Sequence, residues 1–138
     1  LDFIIVDMPP GTGDTQLTFA QEIKIDGAII VSTPQEIALQ DVKRGIKMFD
    51  KLGVEIIGLV DNMSHFIGDD NKKYSIFGEG GVERTAEEFN KKFLGQIPIY
   101  PEVGKEGDGG KPIMESIPDH ASSKTFIALA QKIKSNFL

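Results

Sequence analysis

The chain has 138 residues, which suits one domain with a single core of ordinary size. Its formal net charge of -6, without clustered lysine and arginine, argues against non-specific binding to nucleic acid. It has no cysteine, which excludes disulfides and thiolate metal sites, and no apolar run approaches the roughly 20 residues that span a bilayer. With no leader pattern at its start, we expect a cytoplasmic protein without stable membrane association.

The first predicted element is an apolar run at residues 3–6 that ends in Asp7. Apolar residues without alternation are typical of a parallel strand that is buried on both faces. Asp7 would then emerge at the carboxyl edge of the sheet, where open α/β sheets bind ligands. Pro9, Pro10 and Gly11 predict a stiff loop with one permissive hinge, able to present backbone N–H groups. Because the chain begins inside this predicted strand and without Met, we expect it to be a fragment of a longer protein.

Strands and helices alternate along the rest of the chain. Further strands are predicted at residues 28–31, 56–60 and 94–97, and helices at residues 15–22, 82–91 and 122–136, with another beginning at the sequence TPQE. This alternation predicts an α/β fold in which helices flank a mostly parallel sheet, with residues 1–138 in a single domain. Two glycine-rich stretches, residues 68–81 and 104–112, are predicted to be loops.

The clearest predicted helix follows the second strand. Thr33 is a candidate N-cap, Pro34 suits the first helical position, and Glu36 would complete a capping box. Gly53 is expected to end the helix. The predicted apolar face comprises Leu39, Val42, Ile46 and Phe49.

If the strands are parallel, the residues that follow them share one edge of the sheet. These are Asp7, Thr33 with Pro34, residues 61–64 and residues 97–101, and a single ligand could contact all of them. An aspartate after an apolar strand is the Walker B arrangement, in which the carboxylate holds Mg²⁺, usually through water. The alternative is that Asp7 merely caps a turn. No phosphate-binding loop of the form GxxxxGK[ST] occurs, so either that loop lies outside these residues or the protein binds no nucleotide.

Five blocks decide between these alternatives by resemblance. They are DMPPGTGD at residues 7–14, TPQEIALQDVKRGIKMF at 33–49, NMSHF at 62–66, IFGEGG at 76–81 and FLGQIPI at 93–99. Together, in this order and spacing, they resemble the C-terminal half of the Mrp/ApbC family. Members of that family are deviant-Walker P-loop ATPases related to MinD and ParA, and they carry iron–sulfur clusters. The resemblance implies a P-loop NTPase-like fold that lacks the N-terminal phosphate-loop portion.

The resemblance also implies roles for individual residues. Asp7 would be the Walker B aspartate and would bind Mg²⁺ through water. Gly11 would belong to the catalytic switch loop that meets the γ-phosphate of ATP, with Pro10 beside it in the cofactor site. Asn62 would face the adenine, and Pro98 would line the base pocket. Asn62 could instead hydrogen-bond its own turn.

Several other polar residues have a structural explanation. Asp14 would steady the exit of the switch loop by resemblance, but an N-cap explains it equally well. Asp41 and Lys43 are candidates for contact with a second subunit, although solvated charge accounts for them. His65 and His120 are too few and too distant in sequence to argue for a metal site.

The chain departs from the family between residues 66 and 76. Many relatives have a CxxC pair here, and two such pairs from a dimer can hold a bridging cluster. In this chain Gly68 and Asn71 stand at the expected cysteine positions, and Asp69 and Asp70 are hard oxygen ligands that substitute poorly for sulfur. A bound iron–sulfur cluster is therefore doubtful, while the ATPase interpretation is unaffected.

Three classes of function remain open. The leading hypothesis is an ATP- and Mg²⁺-dependent switch ATPase in iron–sulfur cluster assembly or delivery, a homodimer when complete and with client or scaffold proteins as partners. Without a phosphate loop, the fragment alone should be inactive. The alternatives are a MinD- or ParA-like positioning ATPase and a non-enzymatic, protein-binding remnant. Membrane recruitment would need a terminal amphipathic helix, and residues 122–136 have an apolar stripe, but packing against the sheet is the simpler explanation.

Overall fold

A computed structural model describes residues 1–8 and 13–137 of the chain. The helices are α1 Asp14–Glu22, α2 Glu36–Leu52, α3 Gly81–Glu88, α4 Pro101–Asp108, α5 Ile113–Ser116 and α6 Ala121–Lys134. The strands are β1 Ala28–Ser32, β2 Ile56–Asn62, β3 Phe66–Ile67, β4 Lys73–Tyr74 and β5 Phe93–Ile97. Within the described ranges, no helix is long and apolar enough to cross a bilayer.

The main sheet has three parallel strands in the order β1-β2-β5. The central strand, β2, is buried at every residue but its last, as its uninterrupted apolar sequence predicts. On its outer side, β1 pairs with no other strand among the described residues, and Val31 there is 56% exposed. The parallel sheet with covering helices confirms the predicted α/β fold.

Helices cover both faces of this sheet. On one face, α2 and α3 pack over β2, and the buried cluster comprises Leu39, Val42, Ile46, Ile56, Leu59, Val82 and Ala86. On the other face, Leu129 of α6 packs against β2 and β5, with Phe126 and Ile133 beside it. The apolar stripe of α6 is therefore used for packing on the sheet, as predicted, although Ala130 within the helix and Phe137 beyond its end are exposed.

The strand predicted at residues 3–6 is wrong. Residues 1–8 form no strand, and Ile4 and Ile5 are 79% and 89% exposed. The Phe3 ring meets the Phe137 ring edge-on, with centroids 6.0 Å apart, instead of entering the core. An apolar run becomes a strand only when a neighbouring strand satisfies its backbone groups, and none of the described strands pairs with this segment.

The start of α2 also differs from the prediction. Its N-cap is Gln35, which has an extended backbone and makes no side-chain cap, so the proposed capping box of Thr33 and Glu36 does not form. Pro34 disfavours helical geometry at the residue before it, and the extended path continues through Gln35 before the helix begins. The end of the helix is confirmed, because Gly53 is left-handed with φ 71°.

Both glycine-rich stretches contain regular structure that the sequence analysis missed. Helix α4 occupies much of the second stretch, with Pro101 at its first turn. An added Cβ at either of its two glycines, Gly104 and Gly107, would meet nothing within 4 Å. The first stretch contributes β4, which pairs antiparallel with β3 to form the β3–β4 hairpin, residues 66–74.

Candidate functional site at the carboxyl edge of the sheet

The three parallel strands end together at Ser32, Asn62 and Ile97. Asn62 and Ile97 are register partners, and Pro98 follows directly. The loops beyond them are also joined, since the Ser64 N–H donates to the Ile97 carbonyl at 3.1 Å. The sheet therefore brings the two predicted base-contacting residues, Asn62 and Pro98, into neighbouring loops.

Asn62 is half-buried at the end of β2 and serves its own turn. Its Oδ1 accepts a hydrogen bond from the Met63 N–H at 3.0 Å. Met63 is left-handed with φ 52°, an uncommon conformation that this local hydrogen bond supports. Asn62 thus forms the hydrogen bond to its own turn that was the alternative to base contact, and contact with a base stays a prediction.

The remaining predicted nucleotide contacts lie before α1. Asp7 is exposed and does not stand at the end of a sheet strand, because residues 1–8 form no strand. Pro10 and Gly11 lie outside the described residues. Asp14 is the first residue of α1 and not its N-cap, a position taken by Gly13 without a side-chain bond. The acidic side chain still suits a first helical turn.

A buried acid at this edge was missed by sequence analysis. The Asp61 side chain is in β2, the residue is 1% exposed, and neither carboxylate oxygen makes a hydrogen bond. Burial raises the pKa of Asp61 to about 6, opposed by the neighbouring Gln96 amide and by the charge of Lys73. The Gln96 amide thus acts on the carboxyl without a well-formed hydrogen bond. The sequence does contain a sign of this buried acid, because Asp61 follows directly on the apolar run that forms β2.

Asp61 belongs to a row of polar residues across the sheet. Its register partners are Ser32 of β1 and Gln96 of β5, and partners in a parallel ladder point to the same face. That face is the one covered by α2 and α3, because Leu59, two residues before Asp61, belongs to their cluster. Ser32 satisfies itself by donating to the Thr33 carbonyl at 2.9 Å.

The start of α3 packs tightly on the loop after β1. A Cβ at Gly81 would lie 2.6 Å from the Pro34 carbonyl oxygen and 2.8 Å from Leu39 Cδ1. A backbone oxygen cannot move aside as a flexible side chain can. Only glycine at this position allows α3 to approach the edge so closely.

We expect Gly81→Ala to destabilise the protein by about 1 to 3 kcal/mol, because the added methyl must displace the Pro34 loop or α3. The matched control is Gly45→Ala in α2, where an added Cβ meets nothing within 4 Å. That control should be neutral or stabilise by up to about 1 kcal/mol, because alanine is the better helix former. Urea denaturation of both variants provides the measurement, and equal effects would contradict the close approach.

The β3–β4 hairpin occupies the segment where relatives were expected to have their cysteine pair. Its turn is satisfied internally, since the Gly68 N–H donates to the Lys72 carbonyl and the Tyr74 hydroxyl donates to Asp70 Oδ2 at 2.7 Å. That hydroxyl bond lowers the pKa of Asp70 and raises the pKa of Tyr74. The described residues contain no group of three or more metal-binding side chains here or elsewhere.

Comparison with known proteins identifies the family. A model of the ParA family, described as NUBPL iron-transfer P-loop NTPase, matches residues 1–134. The chain belongs to this family. The match to the NUBPL-type P-loop NTPases covers nearly the whole chain, and it confirms the resemblance to Mrp/ApbC proteins.

Curated relatives of this NUBPL-type chain are named for iron–sulfur clusters. An iron–sulfur cluster carrier protein of Synechocystis is 47% identical over 96% of this chain, and one of Aquifex aeolicus is 46% identical over 95%. A mitochondrial iron–sulfur protein required for NADH dehydrogenase, from Arabidopsis thaliana, is 47% identical over 96%. The chain spans only 38%, 36% and 43% of these three proteins, respectively.

Solved structures place the NUBPL-type chain in the P-loop NTPase fold. A nucleotide-binding protein of Archaeoglobus fulgidus in complex with ADP matches with a TM-score of 0.67 and 37% identity, over 75% of this chain and 43% of that one. The cell division ATPase MinD of Pyrococcus furiosus matches with a TM-score of 0.62 and 23% identity, over 80% of this chain and 43% of that one. The MinD likeness supports the shared fold alone.

Proposed function

We propose that this chain is part of a nucleotide-switched, Mg²⁺-dependent ATPase of the Mrp/ApbC type that acts in iron–sulfur cluster delivery. The observation that carries the proposal is the similarity to cluster carrier proteins, 47% and 46% identical over at least 95% of the chain. The chain is acidic, and we place this activity in the cytoplasm.

The carboxyl edge is the proposed nucleotide site. Asn62 and Pro98 lie in neighbouring loops and would contact the base, with the Asn62 side-chain nitrogen as the donor because its oxygen serves Met63. Support for nucleotide binding comes from the ADP-bound relative of Archaeoglobus fulgidus, which is 37% identical in the part that matches 75% of this chain.

Asp7 is the proposed Mg²⁺ ligand, through water. Its exposed carboxylate has no ion-pair partner within residues 1–8 and 13–137, so its oxygens are available to a hard cation. Mg²⁺ would neutralise charge that develops on the phosphates of ATP. Asp7 would orient a water of the ion, and the neighbouring Pro10 and Gly11 would carry the switch loop.

The phosphates themselves require a cradle that these residues do not provide. No GxxxxGK[ST] sequence occurs, and the chain spans about two fifths of its relatives. We therefore propose that the phosphate loop comes from sequence outside these 138 residues. From the resemblance to Mrp/ApbC proteins we also propose that the complete protein is a homodimer. Residues 1–138 alone should not hydrolyse ATP.

The cluster is the cargo of this proposed activity, and the chain itself does not fit as its holder. Iron–sulfur clusters are held by thiolates, and none of the 138 residues is a cysteine. The β3–β4 hairpin instead closes on itself through Asp70 and Tyr74. Thiolates from a client or scaffold protein, or from sequence outside these residues, would have to hold the cluster.

The test is ATP hydrolysis by a chimera that joins the N-terminal part of the Aquifex aeolicus relative to this chain. Asp7→Ala should lower turnover at least about tenfold, because the metal loses its positioning carboxylate. The matched control is Asp2→Ala, which removes an exposed carboxylate five residues earlier and should leave turnover unchanged. Unchanged turnover in Asp7→Ala would remove Asp7 from the mechanism, and an inactive but folded chimera would contradict the ATPase assignment.

A further inference from the structure

Asp61 is a buried acid that the proposed ATPase mechanism does not use. It is 1% exposed, and both carboxylate oxygens lack hydrogen-bond partners. A neutral carboxyl tolerates such a place far better than a carboxylate, which needs a compensating charge or donor. An ionised Asp61 would therefore be stabilised by a nearby cation, and no cation contacts its carboxylate oxygens in the described structure.

The cation whose charge acts on Asp61 is Lys73 of β4. Of the other groups that act on its carboxyl, Gln96 of β5 favours the ionised form and Glu83 of α3 opposes it. Lys73 is engaged elsewhere, because its Nζ lies 2.7 Å from Glu79 Oε1. That pair is largely in solvent, with side-chain exposures of 41% and 68%, so exchanging it for another partner costs little.

The element that carries Lys73 is small enough to move. Each strand of the β3–β4 hairpin has only two residues, with the register pairs Phe66 with Tyr74 and Ile67 with Lys73. No residue of either strand is in the buried core, and Ile67 and Tyr74 are each 46% exposed. Segments with few buried apolar contacts shift at low free-energy cost.

We propose that the proton on Asp61 sets the position of the β3–β4 hairpin. With Asp61 protonated, Lys73 stays with Glu79 and the hairpin holds the position described here. With Asp61 ionised, the Lys73 ammonium turns to the buried carboxylate and draws β4 toward the end of β2. The inference does not rest on nucleotide binding or cluster delivery.

His65 must be separated from Asp61 in any test. It precedes β3, its Nδ1 lies 3.0 Å from Ser64 Oγ, and burial together with Lys73 lowers its pKa. Its imidazole is a second titratable group next to the hairpin. A variant that removes the imidazole therefore belongs in the experiment.

The experiment follows backbone amide shifts of the whole 138-residue chain by NMR from pH 4.5 to 8. We expect hairpin amides to report a transition near pH 6 that is lost in Asp61→Asn and in Lys73→Gln. It should persist in His65→Asn and in the matched control Lys72→Gln, whose lysine pairs with Asp70 instead. Lys73 is exposed, so its variant folds even if a change at Asp61 does not.

Three results would overturn the proposal. A hairpin transition that survives in Asp61→Asn would assign it to another group. A transition that disappears in His65→Asn would assign it to the imidazole. If Lys73→Gln and Lys72→Gln have the same effect on the hairpin transition, the Lys73 ammonium does not pair specifically with ionised Asp61.

Discussion

Leu59→Ala should lower the free energy of unfolding by about 3 to 4 kcal/mol. Leu59 is in the central strand, is fully buried and belongs to the cluster between β2, α2 and α3. Truncation removes apolar packing against both α2 and α3 and leaves a cavity that a strand paired on both sides cannot close by relaxing. The strand register on both sides of Leu59 restricts such movement.

Urea denaturation followed by circular dichroism measures this loss. Ile37→Ala in α2 is a suitable control, because Ile37 is 78% exposed and its truncation should change stability by less than about 0.5 kcal/mol. If Leu59→Ala costs less than about 1 kcal/mol, the central strand is not the centre of a packed core.

Asp61→Asn should remove a pH-dependent loss of stability of about 2 to 3 kcal/mol. Burial raises the folded-state pKa of Asp61 from 3.8 to about 6, so the folded state binds more protons than the unfolded state between those values. Stability from this group is therefore fully present below about pH 4 and is lost as the pH rises through about 6. Asparagine does not ionise, so the variant lacks this decline.

The measurement is the difference in unfolding free energy between wild type and variant at pH 4.5 and at pH 7.5. Taking the difference matters because the lowered pKa of His65 changes stability with pH in the opposite sense, and subtracting the variant removes that contribution. Asp119→Asn removes an exposed carboxylate and should follow the wild-type curve. Parallel curves for wild type and Asp61→Asn would show that the buried carboxyl does not hold its proton.

The sequence predicts the elements whose evidence is local. Uninterrupted apolar runs identify β1 and β2, a short apolar stretch identifies β5, and helical periodicity identifies α2 with its end at Gly53. The run at residues 3–6 has the same composition and yet forms no strand, because pairing depends on a neighbour that the run itself does not encode. The start of α2 shifts because the conformation around Pro34 overrides a capping pattern.

The part of the site that depends only on strand direction was predictable from the sequence. Parallel strands place Asn62 and Pro98 at one edge whatever covers the sheet, and the structure has them in adjacent loops. The isolation of the Asp61 carboxyl was not predictable, because it depends on how α3 packs over β2 and on a neighbour, Gln96, that is 35 positions away in sequence. A carboxylate at the end of an apolar run could equally have faced solvent.

The outer side of β1 has a consequence for handling the isolated chain. Its backbone donors and acceptors on that side face no strand among the described residues, and its sequence AIIVS contains no charged residue or proline. Natural sheets usually protect such edges with charged residues or proline, because a bare edge is a template for intermolecular β-pairing. Expressed alone, these residues should therefore self-associate through β1 at high concentration, and covering that edge is a practical route to a well-behaved sample.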